Sequence, residues 1–156
     1  MHRNLCKNVY MGRVLIAEDD EAVRAMTGTL LRGAGHDVDF AANGAEAIAC
    51  LQANDYDCML LDLMMPTASG FEVLAWMHRE RRGMAARNVI VLTAAAAGAL
   101  TNLTPDRVFA VIRKPFDIDE LRELVGKCAD GQKLTTKGTK KRIEVLRRLR
   151  LLCGEI

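Results

Sequence analysis

Several short apolar runs in this chain end in polar residues suited to phosphate and a hard cation. Val14 to Ala17 leads into Glu18, Asp19, Asp20 and Glu21, and Cys58 to Leu61 leads into Asp62. Val89 to Leu92 leads into Thr93, and Val108 to Ile112 into Arg113 and Lys114. Carboxylates such as Glu18, Asp19 and Asp62 repel one another when they converge, so their pKa values rise unless a cation shares the site. Oxygen donors without His or Cys suit Mg²⁺, which takes few protein carboxylates and keeps its waters. Taken alone, the acidic run reads equally well as a helix cap that complements the helix dipole, a role open to Asp20 and Glu21. Lys114 tips the balance towards phosphate chemistry. A lone surface ion pair contributes only about 0 to 1 kcal/mol. An ammonium beside metal-loaded carboxylates can instead hold one equatorial oxygen of a transferring phosphoryl group, with Mg²⁺ on another and the Thr93 hydroxyl on the last. Asp62 would then attack, giving an aspartyl phosphate.

The elements that must position these groups are legible as alternating strands and helices. The runs named above, together with Val38 to Ala42, have the length and β-branched content of strands. Between them, Val23, Met26, Leu30 and Leu31 mark one face of a helix that Asp20 caps and that Gly33 or Gly35 ends. Asn43-Gly44 precedes a shorter helix with Ala45, Ala47, Ile48 and Leu51, and Ser69 caps a third bearing Phe71, Leu74 and Met77. Asp117 and Glu120 have capping-box spacing ahead of Ile118, Leu121, Leu124, Val125 and Cys128. Ala94 to Pro105 predicts a short or mobile fourth helix, because Gly98, Asn102 and Pro105 interrupt its alanines. Strands alternating with helices call for a doubly wound parallel α/β sheet with helices on both faces, and ligands bind at the carboxyl ends of its strands.

Composition agrees with one folded domain: 156 residues, 50% hydrophobic and 27% charged. The longest uncharged stretch, Asn88 to Pro105, carries too many polar residues to span a membrane. Arg3 and Lys7 are followed by too short an apolar run for a signal peptide. A cytoplasmic protein without a membrane partner is expected. The 5 cysteines are an odd number without C-x-x-C spacing, so they read as buried hydrophobes and terminal thiols rather than a disulfide framework or zinc site. His2, His36 and His78 have no metal partner nearby in sequence and are expected at surface or helix positions. The net charge of +2 hides a division between −4 over residues 1–130 and +6 over residues 131–156.

The strings VLIAEDDE (Val14 to Glu21), LLDLMMPTASG (Leu60 to Gly70), Val91 to Ala94 and Arg113 to Phe116 resemble, in order and spacing, the receiver domain of two-component response regulators. The resemblance covers about residues 12–130. It implies a flavodoxin-like fold with five parallel strands in the order 2-1-3-4-5. It also implies that Asp62 accepts a phosphoryl group from a sensor histidine kinase or histidine phosphotransfer protein. Glu18, Asp19, Asp62 and the Met64 backbone carbonyl would hold Mg²⁺, Thr93 and Lys114 would sense the phosphoryl group, and Lys114-Pro115 would be cis. Such a domain catalyses only its own phosphorylation and dephosphorylation, and it switches binding to an output protein. The rival reading is a pseudo-receiver, a constitutive interaction module; an independent kinase or phosphatase lacks a P-loop here.

Some positions depart from the pattern. Val111 stands where receivers usually carry an aromatic residue, and strand alternation predicts Phe109 on the same side. A signal is therefore expected to run through Ala94 to Pro105 and the following strand by a backbone shift. Met64 and Ala95, two residues beyond Asp62 and Thr93, cannot orient a hydrolytic water. The chain divides into a loose leader (1–11), the receiver unit (12–130) and a basic tail (131–156). The tail reads as a solvated extension or, from Ile143, Leu146, Leu149 and Leu152, as a basic amphipathic helix for a partner. It is too short for a helix-turn-helix domain, so direct DNA binding is not expected.

Overall fold

The computed structural model describes residues 11–80, 88–94, 100, 103 and 108–131. In chain order these form β1 (Arg13–Ala17), α1 (Glu21–Gly33), β2 (Asp37–Ala41), α2 (Gly44–Ala53), β3 (Cys58–Asp62), α3 (Gly70–Glu80), β4 (Val89–Thr93), β5 (Ala110–Arg113) and α4 (Ile118–Ala129). The strands make one parallel sheet in the order β2-β1-β3-β4-β5, the topology that the resemblance implied. No helix among the described residues is long and apolar enough to cross a membrane. Residues 1–10 of the leader, most of the Ala94 to Pro105 segment and the tail from residue 132 lie outside the described residues.

Strand residues alternate between the two faces. Leu15, Ala17, Met59, Leu61, Val89 and Val91 pack with Ala47 and Leu51 of α2 and Val73 and Met77 of α3. Val14, Ile16, Cys58, Leu60, Ile90 and Leu92 pack with Leu31 of α1 and Leu121, Val125 and Cys128 of α4. Because β3 and β4 are buried at every position, they read as apolar runs up to their last residues, Asp62 and Thr93. The edge strand β2 keeps Asp37 exposed and Asp39 half-buried. Asp39 accepts from the Tyr56 hydroxyl (2.7 Å) and from Arg13 Nη2 (2.8 Å), so the charges inside this end of the sheet are mutually satisfied.

Local side chains start the helices. Asp20 and Asp117 accept from the backbone N–H of Val23 and Glu120 as the sequence predicts, and Asn43, to which the sequence reading gives no cap role, accepts from that of Glu46. Ser69 and Glu72 cap reciprocally: the Ser69 N–H donates to Glu72 Oε2 (2.6 Å) and the Glu72 N–H to Ser69 Oγ (3.3 Å). α1 ends at Gly33, and Gly35 takes the positive φ of 95° that lets the chain turn into β2.

The structure corrects the sequence reading at Phe109 and His36. Phe109 packs in the α1/α4 cluster whereas Val111 packs against the α2/α3 cluster. The Phe109 N–H donates to the Val89 carbonyl (2.7 Å), but the regular register begins at Ala110, and Phe109 and Ala110 pack in the same cluster, so alternation breaks between them. His36 is not a surface residue. It is 5% exposed, and its Nδ1 accepts the Gly12 N–H at 3.2 Å. Burial lowers the imidazole pKa from its usual 6.5, and only an unprotonated Nδ1 can accept the Gly12 N–H. The unfolded chain therefore takes up this proton first as pH falls. Stability present above about pH 6.5 is lost below it. The expected result is a melting temperature that drops between about pH 7.5 and about pH 5.5, with a smaller drop in His36→Gln, where the amide oxygen still accepts from Gly12. Equal drops in both proteins would remove His36 from the account.

Candidate functional site

In a doubly wound sheet the ligand crevice opens where strand order reverses, which here is between β1 and β3. Glu18 follows β1 directly, and its N–H donates to the Ala41 carbonyl (3.1 Å), extending the sheet by one residue. Asp62 is the last residue of β3, in register with Leu92. Thr93 ends β4, and the Lys114 N–H donates to its carbonyl (3.0 Å), which ties the backbone of the lysine to that of the threonine. The Lys114-Pro115 peptide is cis.

Five polar or charged residues are buried among those described. Thr27 donates to the Val23 carbonyl and His36 accepts the Gly12 N–H, both away from this edge, and the others, Glu18, Asp62 and Thr93, lie together at it. Oxygens of Glu18, Asp19 and Asp62 lie within 4.8 Å of one another. Lys114 Nζ donates to Glu18 Oε2 at 2.6 Å and to Asp62 Oδ2 at 3.2 Å. The remaining oxygens of the buried acids are also engaged: Glu18 Oε1 accepts the Asp20 N–H (3.1 Å) and Asp62 Oδ1 the Met64 N–H (3.0 Å). Asp19 is exposed, and so is the Met64 side chain, at 59%.

The electrostatics follow from burial and from the ammonium. Burial pushes the Glu18 carboxyl above the usual range, a rise that the bond to Lys114 opposes without cancelling. For Lys114, burial lowers proton affinity, but its partners Glu18 and Asp62 outweigh burial and leave the amine above its ordinary value. The lysine thus serves as an internal counter-ion for acids that burial would otherwise penalise. The donor set also suits a hard divalent cation. It consists of carboxylate oxygens, contains no His or Cys, and has one exposed member through which a hydrated ion can approach.

Sequence spacing thus points to side chains that the fold does bring together: Glu18, Asp19, Asp62 and Lys114. Thr93 and Met64 join through their backbones. It misses Arg24 on α1, whose Nη1 donates to the Glu18 carbonyl at 2.8 Å and lies 3.4 Å from that of Asp19. A signal for it existed. A cation in the first turns of a helix opposes the dipole and calls for a specific partner.

Gly70 supports the site from below. Its N–H donates to the Leu63 carbonyl (3.0 Å), and a Cβ there would fall 2.4 Å from the Asp62 carbonyl oxygen and 2.7 Å from Leu63 Cα. Both obstacles are backbone, so Gly70→Ala must displace the segment that carries Asp62. Urea unfolding should show a loss of about 2 to 3 kcal/mol. An unchanged midpoint would mean that the segment yields freely.

Comparison with known proteins agrees with this geometry. A family model described as the response regulator receiver domain matches residues 14–126. The transcriptional regulatory protein TcrA of Mycobacterium tuberculosis is 37% identical over 123 residues, covering 74% of this chain and 45% of its own. The chain thus spans less than half the length of that relative. The sporulation initiation phosphotransferase F of Bacillus subtilis is 29% identical, with 74% and 91% covered. Among solved structures, the response regulator TrrA of Thermotoga maritima, in complex with Mg²⁺–BeF, superposes with a TM-score of 0.66 at 30% identity over 76% of this chain and 99% of that one.

Proposed function

The chain belongs to the response regulator receiver family, and from that membership we propose that Asp62 accepts a phosphoryl group from the phosphohistidine of a sensor histidine kinase or histidine phosphotransfer protein. The observation that carries this reading is the Lys114 ammonium, held between Glu18 and Asp62 beside the exposed Asp19. A carboxylate oxygen of Asp62 attacks phosphorus, the P–O bond forms as the P–N bond to imidazole breaks, and the imidazole leaves with the bonding pair. Lys114 turns from its carboxylate partners to the phosphoryl oxygens, and Thr93, whose carbonyl is bonded to the Lys114 N–H, offers its hydroxyl to another. Glu18, Asp19, Asp62 and the Met64 carbonyl would hold Mg²⁺, which when bound neutralises charge on the transferring group. Residues 12–130 form the unit that performs this chemistry. The leader (1–11) and the basic tail (131–156) are separate pieces, and the output protein binds the phosphorylated state.

The test is direct. Incubation with acetyl phosphate should add the mass of one phosphoryl group in Mg²⁺ and none in EDTA. No uptake in either would favour the rival reading, a constitutive interaction module. A second expectation concerns lifetime. Met64 offers no acid or amide to align a water against the acyl phosphate, and Ala95 has the same lack. Radiolabel on Asp62 should therefore outlast a chase of minutes, and its loss within seconds would show another group aligning the water.

A further inference from the structure

We propose that Arg24 is a positioning residue for the acidic pair: it fixes the peptide groups that carry Glu18 and Asp19 and thereby sets the affinity of the carboxylate cluster for Mg²⁺. The inference rests on the cation site proposed above and adds a residue to it. Arg24 sits on α1, its own N–H donating to the Asp20 carbonyl at 2.9 Å. Its side chain folds back over the helix start, so that Nη1 donates to the Glu18 carbonyl at 2.8 Å and stands 3.4 Å from the Asp19 carbonyl. The partners are carbonyl oxygens, not carboxylates, so the contact orients backbone and leaves the acid side chains for another cation.

The two acids differ in what else holds them. Glu18 is fixed by its N–H on the Ala41 carbonyl, by the Asp20 N–H on Oε1 and by Lys114 on Oε2. Asp19 is exposed, beyond the end of β1 and before the Asp20 cap, where neither sheet nor helix bonds restrain it. The peptide groups on either side of Asp19 are those whose carbonyls face Arg24, and their orientation decides whether its carboxylate points at Glu18 and Asp62. Turning those carbonyls towards a guanidinium also keeps them from competing as oxygen ligands. Residues that orient ligands from outside the coordination shell are worth about tenfold to a hundredfold in metal affinity. A guanidinium with several donors can face both carbonyls, whereas a lysine ammonium, a point donor, can serve the nearer one.

Calorimetric titration of the full chain with MgCl₂ tests this, using wild type, Arg24→Met, Arg24→Lys and Arg24→Gln, each first shown folded by circular dichroism. The expected result is a dissociation constant about tenfold weaker in Arg24→Met, with Arg24→Lys in between. Arg24→Gln is read by the same criterion as Arg24→Met if the methionine variant does not fold. Wild-type affinity in the folded variants, with only the melting temperature lowered, would reduce Arg24 to a helix-end contact and overturn the proposal while leaving the cation site standing. A wild-type protein that binds no Mg²⁺ would overturn both.

Discussion

Asp62→Asn is expected to take up no phosphoryl group from acetyl phosphate in Mg²⁺, while remaining folded. The amide is nearly isosteric with the carboxylate but is not a nucleophile towards phosphorus. Its effect on stability can be read from the hydrogen bonds. Asp62 accepts twice, from the Met64 N–H at Oδ1 and from Lys114 Nζ at Oδ2. Asparagine has one acceptor oxygen in place of two, so one of these bonds is lost, which costs about 1 kcal/mol. Against that, one negative charge leaves a cluster whose oxygens lie within 4.8 Å of one another, which relieves repulsion. The terms oppose each other and are of similar size, so urea unfolding should place the variant within about 1 kcal/mol of wild type. Intact mass and unfolding together separate loss of the acceptor from loss of the fold. A variant that gains the phosphoryl mass as readily as wild type would mean that another side chain is the acceptor.

Features fixed by local chemistry were legible in the sequence. Asp20, Ser69 and Asp117 cap because their side chains reach N–H groups a few residues along the same chain. β3 and β4 were legible because strands covered on both faces carry apolar residues at every position up to their last, Asp62 and Thr93. The acids and Lys114 stood out because charges at the ends of buried runs are expensive without a purpose. What escaped depends on distant parts of the chain. The burial of His36 rests on an N–H from Gly12, 24 residues earlier. The side taken by Phe109 depends on where the regular register with β4 begins, since alternation holds only within that register. The division of Lys114 between its partners was equally hidden, because spacing brings residues 18, 62 and 114 to one edge without ranking their distances. The closer partner turns out to be Glu18, at 2.6 Å against 3.2 Å for Asp62.

That ranking gives Lys114→Met effects of opposite sign. In EDTA the variant should lose about 3 kcal/mol, the lower end of what breaking a buried pair costs, because Lys114 keeps some contact with solvent while Glu18 has almost none. Mg²⁺ affinity should rise, since the ammonium no longer occupies oxygens of Glu18 and Asp62 that the ion would use. At a Mg²⁺ concentration of 100 times its dissociation constant, about 2.7 kcal/mol is returned, so the variant in Mg²⁺ should melt close to metal-free wild type. The rate of phosphoryl uptake should nevertheless fall, by about a hundredfold or more, as when one donor to a developing oxyanion is removed. Methionine keeps the unbranched length of the stem, so packing changes little and the charge is the variable. Urea unfolding in EDTA, calorimetric titration with MgCl₂ and the rate of mass gain from acetyl phosphate read the three effects separately. A variant that binds Mg²⁺ more tightly yet takes up phosphoryl at the wild-type rate would make Lys114 a counter-ion for the resting acids alone. One that loses affinity for Mg²⁺ would mean that the lysine organises the carboxylates instead of competing for them.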